Sequence, residues 1–208
     1  MNKKAIIYDL DNTVYPVPAI GEKLFKPVFG LIAQSGNHND DMDAIKKDMM
    51  KIPFRVVADK YNFSQELIEE GIKIQEDIEF TEPIETFADY SIIKTLPGKR
   101  FLVTTGFRKM QQSKIKQMGI EQDFTEIHIV DPTITSKKEV FDGIMERYGY
   151  SPEDVLVVGD DPGSEIKAAK ELTIETVLYD YSRLQDKKIS DYYITNYSEL
   201  KDIFTKHS

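Results

Sequence analysis

Short, nearly unbroken apolar runs recur along the chain at residues 5–8, 101–104, 127–130, 155–158 and 176–178. Runs of this length without polar alternation predict strands buried on both faces of a parallel sheet. From about residue 95 they alternate with helix-period segments at 109–118, 138–148 and 164–172. Gly119 and Gly149 follow the first two helices as C-terminal stops, and Ser151-Pro152-Glu153-Asp154 marks a turn into the next strand. The alternation predicts βαβ units, hence an α/β chain built on a parallel sheet.

Residues 16–87 read differently. Pro16, Pro18, Pro27 and a polar stretch at 36–41 precede helix-period runs at 43–51, 54–61 and 64–80, with few β-branched clusters. Ser64, followed by Gln65-Glu66-Leu67, is placed to cap the first-turn N–H groups of the last run. A block of helix is therefore expected after the first strand of the sheet. The tail, residues 191–208, offers one weak strand at 192–194 and a final amphipathic helix.

Composition narrows the function classes. The 208 residues include no cysteine, which excludes a disulfide framework, a thiolate nucleophile and Cys-ligated metal. With 36 acidic against 27 basic side chains the formal charge is −9, which counts against a nucleic-acid polymer as partner. The start, residues 1–9, opens like a signal peptide, but its apolar run stops at Asp9. No run approaches the length of a membrane span. The expectation is a cytoplasmic protein without a membrane partner.

In open α/β sheets, ligands bind beyond the carboxyl ends of the strands. The predicted strands end in Asp9-Leu10-Asp11-Asn12-Thr13, in Thr104-Thr105-Gly106, and in Gly159-Asp160-Asp161 with Ser164 and Glu165 beyond. Carboxylates packed this closely repel one another unless a cation neutralises them, and hard oxygen donors without His or Cys favour Mg²⁺. In an Asp-x-Asp pair the first carboxylate can attack an electrophile while the second serves as acid and base. A transferring phosphoryl group would be balanced by the cation, the Thr104 hydroxyl, loop N–H groups and one lysine.

Taken singly, these features have plainer readings. Asp9 and Asp11 would be a solvated turn, Asp160 and Asp161 a helix cap, and Lys137 and Lys138 surface charges. Gly106-Phe107-Arg108 would be a loop, or a phosphate contact. Phe25, Phe29 and Arg55 would belong to a helical core stripe, or face a substrate. His38, His128 and His207 sit in no ligand pattern and are assigned to structure or surface. The run 39–43 reads as a solvated loop.

Together, Asp9-Leu-Asp-Asn-Thr13, Leu102-Val-Thr-Thr-Gly106, a lysine before Phe141, and Val157-Val-Gly-Asp-Asp161 followed by Glu165 resemble the four ordered motifs of the haloacid dehalogenase-like hydrolase superfamily. The resemblance implies a Rossmann-like three-layer core, residues 1–15 and 88–208, with a small all-helical mobile cap over 16–87. It implies a Mg²⁺-dependent phosphatase that hydrolyses a small soluble phosphate ester, a nucleotide or sugar phosphate, through an aspartyl-phosphate. The continuation Asp11-Asn-Thr-Val-Tyr-Pro16 is most similar to the pyrimidine 5′-nucleotidase branch. Carried over, Asp9 is nucleophile and metal ligand, and Asp11 is acid/base with its carbonyl on the metal. Thr104 and the Thr105 N–H hold phosphoryl oxygens, and the phosphate-contact set is Asp9, Leu10, Asp11, Thr104, Thr105 and Gly106. Asp160 and Glu165 complete the metal site.

Two departures stand out. The motif lysine is usually followed by proline, so Lys137 and Lys138 both remain candidates, Lys137 the favoured one. Thr173 replaces a small residue in Lys170-Glu-Leu-Thr-Ile174, altering a helix end. A phosphosugar mutase, a dehalogenase and a non-hydrolytic phospho-Asp signalling module are the rival functions. Asp11 and the acidic fourth motif argue against the dehalogenase, and the helical insertion against the signalling module.

Overall fold

A computed structural model describes residues 3–36 and 41–206, with side chains described as far as residue 203; His38, His207 and part of the 39–43 run lie outside the described residues. The chain divides into two compact units, Met1–Tyr15 with Glu85–Gly106 and Met118–Ser208, and Pro16–Ile84 with Phe107–Gln117. No helix among the described residues is long and apolar enough to cross a membrane.

The first unit is a Rossmann-like α/β layer structure. Its strands are β1 (Ala5–Tyr8), β2 (Lys99–Thr105), β3 (Glu126–Val130), β4 (Val155–Gly159), β5 (Glu175–Tyr179) and β6 (Tyr192–Ile194). All pair in parallel, in the order β3-β2-β1-β4-β5-β6. The chain steps outward from β1 through β2 to β3, then returns to the other side of β1 at β4. The strand order therefore reverses beside β1, where an open parallel sheet forms its ligand crevice. Every residue of β1 and β4 is buried, which explains their lack of polar alternation. Edge strand β3 is mostly half-buried and carries Glu126 and His128, charged or polar positions that discourage edge-to-edge pairing.

In chain order the helices are α1 (Gly21–Leu24), α2 (Lys26–Ser35), α3 (Met42–Met49), α4 (Phe54–Lys60), α5 (Gln65–Asp77), α6 (Arg108–Met118), α7 (Lys137–Tyr148), α8 (Glu165–Glu171) and α9 (Tyr197–Lys206). Helix α7 starts on a capping box: Ser136 Oγ accepts the Glu139 N–H while Glu139 accepts the Ser136 N–H. Phe141, Ile144 and Met145 on α7 then join Ile7, Phe101, Val103 and Val157 in one core cluster. Truncating a fully buried phenylalanine such as Phe141 to alanine removes about 3–5 kcal/mol.

The second unit is all helical. Its core gathers Val28, Phe29, Ile32, Ile45, Met49, Phe54, Val57, Phe63 and Leu67. Phe29 and partly buried Phe25 stack edge-on at 6.1 Å within this core, while Arg55 is exposed. Pro27 sits in the first turn of α2, where its missing N–H has no helical partner to lose. One feature differs from the sequence expectation. Helix α6, expected as a crossover of the sheet, groups with the helical unit as far as Gln117. Ser113 Oγ accepts the Phe80 N–H at 2.9 Å, and the Gln117 carbonyl accepts the Ile84 N–H, tying 80–84 to that helix.

Candidate active site

The site begins at the carboxyl end of β1. The Asp9 N–H donates to the Val158 carbonyl at 2.9 Å, so the sheet ladder carries Asp9 beside the end of β4. Asp9 is 6% exposed, although it is a carboxylate, and so are its neighbours in the cluster nearly hidden: Glu165 at 1% and Lys137 at 7%. Lys137 Nζ donates to Asp9 Oδ1 and to Glu165 Oε2, each at 2.7 Å. Glu165 Oε1 in turn accepts the Asp161 N–H at 2.7 Å. One lysine thus bridges two carboxylates brought in by β1 and α8.

Local structure explains why these side chains meet. Ser136 caps α7, which puts Lys137 in its first turn, and Lys138 the next position round the helix. Lys138 is exposed and pairs with Glu171 at 3.4 Å, away from the cluster. Gly159 closes β4 because a Cβ there would lie 2.2 Å from Glu165 Oε1. Glycine at this position is what lets the Glu165 carboxylate lie against the strand end.

Carboxylate oxygens of Asp9, Asp160 and Glu165 all lie within 4.8 Å of one another. Opposite oxygens around Mg²⁺ stand about 4 Å apart, so this trio matches a single hard cation in donor chemistry and in scale. Charge points the same way, since three carboxylates share the cluster with one ammonium. Burial pushes the Asp9 carboxyl up to about 7, with Glu165 and Asp11 adding and Lys137 opposing. Burial likewise holds Asp160 well above the ordinary carboxylate range, reinforced by Glu165 and Asp9. For Lys137, burial works against its charge, but Asp9 and Glu165 outweigh it and keep its pKa above the usual lysine value. A divalent cation would relieve the excess negative charge that raises these acids.

The remaining expected site residues sit as follows. Thr104 is buried at the end of β2, and Thr105 is half-buried. The Gly106 N–H donates to the Val130 carbonyl at 3.2 Å, so that amide is committed to the sheet. The Leu10 side chain is fully buried and its carbonyl accepts the Thr13 and Val14 N–H groups, closing a tight turn. Asn12 occupies the left-handed region at φ +56° within that turn. Asp11 is half-buried, and its Oδ1 accepts a hydrogen bond from the Tyr15 hydroxyl. Tyr15, Gly159 and the Asp161 amide are parts of the site that sequence patterning missed. The only signal for Tyr15 was its place four residues after Asp11, across a polar turn.

Comparison with known proteins adds an independent line. The sequence profile of the haloacid dehalogenase-like hydrolases matches residues 6–179. A glyceraldehyde 3-phosphate phosphatase of Methanocaldococcus jannaschii is 25% identical over 233 residues, covering 96% of each chain. Among solved structures, the HAD-hydrolase YfnB from Bacillus subtilis, bound to magnesium, aligns with a TM-score of 0.67 at 18% identity over 98% of this chain and 99% of that one. A haloacid dehalogenase-like hydrolase from Streptococcus pneumoniae aligns with a TM-score of 0.74 at 16% identity, covering 97% and 98%. Such identities carry the fold alone, but the profile spans most of the chain and includes every strand of the core except the last. On that match, this chain belongs to the haloacid dehalogenase-like hydrolase family.

Proposed function

We propose that this phosphatase of the haloacid dehalogenase-like family hydrolyses a small phosphomonoester through a covalent phosphate on Asp9, with Mg²⁺ held by Asp9, Asp160 and Glu165. The observation that carries the reading is the buried cluster in which Lys137 bridges Asp9 and Glu165 at 2.7 Å while three carboxylates converge. Between the two substrate classes expected, relatives named glyceraldehyde 3-phosphate phosphatase favour a phosphorylated small sugar over a nucleotide. The helical insertion after β1 is read as the cap that selects the ester.

Each residue has a chemical task. Lys137 engages one oxygen of Asp9 and fixes the carboxylate's rotation. Asp9 attacks phosphorus; an Asp9 O–P bond forms as the ester P–O bond breaks. Asp11 gives its proton to the departing oxygen, then takes one from the water that attacks the aspartyl-phosphate. Release of inorganic phosphate returns Asp9 to a carboxylate. The Thr104 hydroxyl donates to a phosphoryl oxygen through both halves, and Lys137 balances charge on Asp9. Bound Mg²⁺ supplies the positive charge that offsets the carboxylates and the substrate phosphate.

The test is phosphate release from a panel of triose, pentose and hexose phosphates and nucleoside monophosphates with Mg²⁺. Turnover is expected on small sugar phosphates, with Asp9→Asn at least 1,000-fold slower, the scale on which loss of a covalent nucleophile acts. Full activity in Asp9→Asn would remove the covalent route. Isomerisation of a sugar phosphate without net phosphate release would favour the mutase, and chloride release from 2-chloropropionate the dehalogenase.

A further inference from the structure

We infer that Tyr15 is a positioning residue for the Asp11 carboxyl, an inference that rests on the acid–base role just proposed for Asp11. Tyr15 is fully buried, and its hydroxyl donates to Asp11 Oδ1. The backbone makes the same connection, because Asp11 and Tyr15 form an isolated parallel bridge across the turn. Within that turn Asn12 takes φ +56° and the Leu10 carbonyl accepts the Thr13 and Val14 N–H groups. Its far side is anchored too: the Thr13 carbonyl accepts the Tyr197 hydroxyl at 2.6 Å, and the Val14 carbonyl the Phe87 N–H at 3.0 Å.

A half-buried carboxyl just past a strand end has two side-chain torsions to settle, and acid catalysis requires one setting. A phenol on a buried ring is a donor whose position is fixed by packing on all sides. Tyr15 makes no bond to the reacting atoms in this scheme. Its contribution is to hold the group that does.

The experiment uses the leaving group as the reporter. An alkoxide needs its proton as the P–O bond breaks, whereas 4-nitrophenolate leaves as a stable anion. Accordingly, Tyr15→Phe, which keeps the ring and deletes the O–H, is expected to lower kcat/KM about 10-fold or more on an alkyl phosphate that the wild type turns over. On 4-nitrophenyl phosphate the loss is expected to stay below about 3-fold, because little acid assistance is at stake there. The ratio of the two losses does not depend on the fraction of folded enzyme, so partial misfolding cannot imitate it. Equal losses on both esters, or none on either, would overturn the positioning role. Asp11→Asn is run in parallel and is expected to show the same leaving-group bias more strongly. If Asp11→Asn keeps wild-type activity on alkyl phosphates, the acid–base reading itself fails, and the inference with it.

Discussion

Thr173 holds a β-branched side chain at φ +59°, in the left-handed region that L-residues avoid. It stands just past α8, where the Ile174 N–H bonds the Ala169 carbonyl and the Thr173 N–H bonds the Lys170 carbonyl, each at 3.0 Å. That pair of bonds is a Schellman ending, which glycine normally serves. The left-handed conformation costs about 1–2 kcal/mol for a residue with a Cβ, against about 0.5–1 kcal/mol of extra unfolded-state entropy for glycine. Thr173→Gly is therefore expected to stabilise the protein by up to about 1 kcal/mol, a melting rise of about 2–4 °C. Differential scanning calorimetry checks this; a lower melting temperature would mean that the Thr173 hydroxyl contact to the Leu172 carbonyl at 2.7 Å outweighs the backbone strain. The departure from a small residue at this position was legible in the sequence, but the sign of φ was not. The same limit hid Tyr15, since a tyrosine four residues from an aspartate has many partners until the turn between them is drawn. Gly159 escaped for a related reason: its need arises from Glu165, whose side chain folds back on the strand end.

At the scale of elements, the strands were legible because burial on both faces leaves a continuous apolar run, as β1 and β4 show. Helix α2 was legible only as the Phe25 and Phe29 stripe and without bounds, because Pro27 stands within its first turn, a position the sequence does not reveal. The choice between Lys137 and Lys138 turned on one capping register: with Ser136 as the cap, adjacent lysines face about 100° apart, and only the first reaches Asp9. Edge strand β3 shows how elements are joined by charge. Glu126 accepts from Arg147 Nη2 at 2.6 Å and from the Tyr148 hydroxyl at 2.8 Å, both on α7, and lies 2.7 Å from His128 Nε2. Burial opposes its charge, but the Tyr148, Arg147 and His128 contacts prevail and lower its pKa to about 2. A carboxylate with a depressed folded pKa contributes stability that is fully present above the unfolded value, near 4.5, and lost as pH falls toward 2. Glu126→Gln is accordingly expected to destabilise the fold by about 1 kcal/mol at pH 7, after discounting for solvent screening. The gap between variant and wild type should narrow as pH drops from 5 to 3 in chemical denaturation. A gap that is constant over that range would assign the effect to geometry rather than to charge.

At the scale of the whole chain, a formal charge of −9 does not distinguish a solvated surface from a site, but the sheet topology does. Reversal of strand order at β1 delivers Asp9, Asp160 and Glu165 to one rim, where burial raises the cost of each negative charge. The strand-end positions of these acids were legible from spacing. Their burial, and the convergence of their oxygens, came only with the tertiary packing of α7 and α8. This concentration of charge sets the last expectation. In the metal-free protein, an Asp9 pKa near 7 against an unfolded carboxylate near 3.9 means the folded state binds the extra proton. The stability that proton contributes is present at low pH and declines as pH rises through the interval from about 4 to about 7. A cation must displace the proton to bind, so its effect grows over the same interval. Millimolar Mg²⁺ is therefore expected to raise the melting temperature more at pH 8 than at pH 5.5, and EDTA to reverse the rise. Asp160→Asn removes one carboxylate of the trio and should shrink the Mg²⁺ response at pH 8 while making the metal-free protein less sensitive to pH. An Mg²⁺ shift of equal size at both pH values, or one that survives in Asp160→Asn unchanged, would place the cation somewhere other than this cluster.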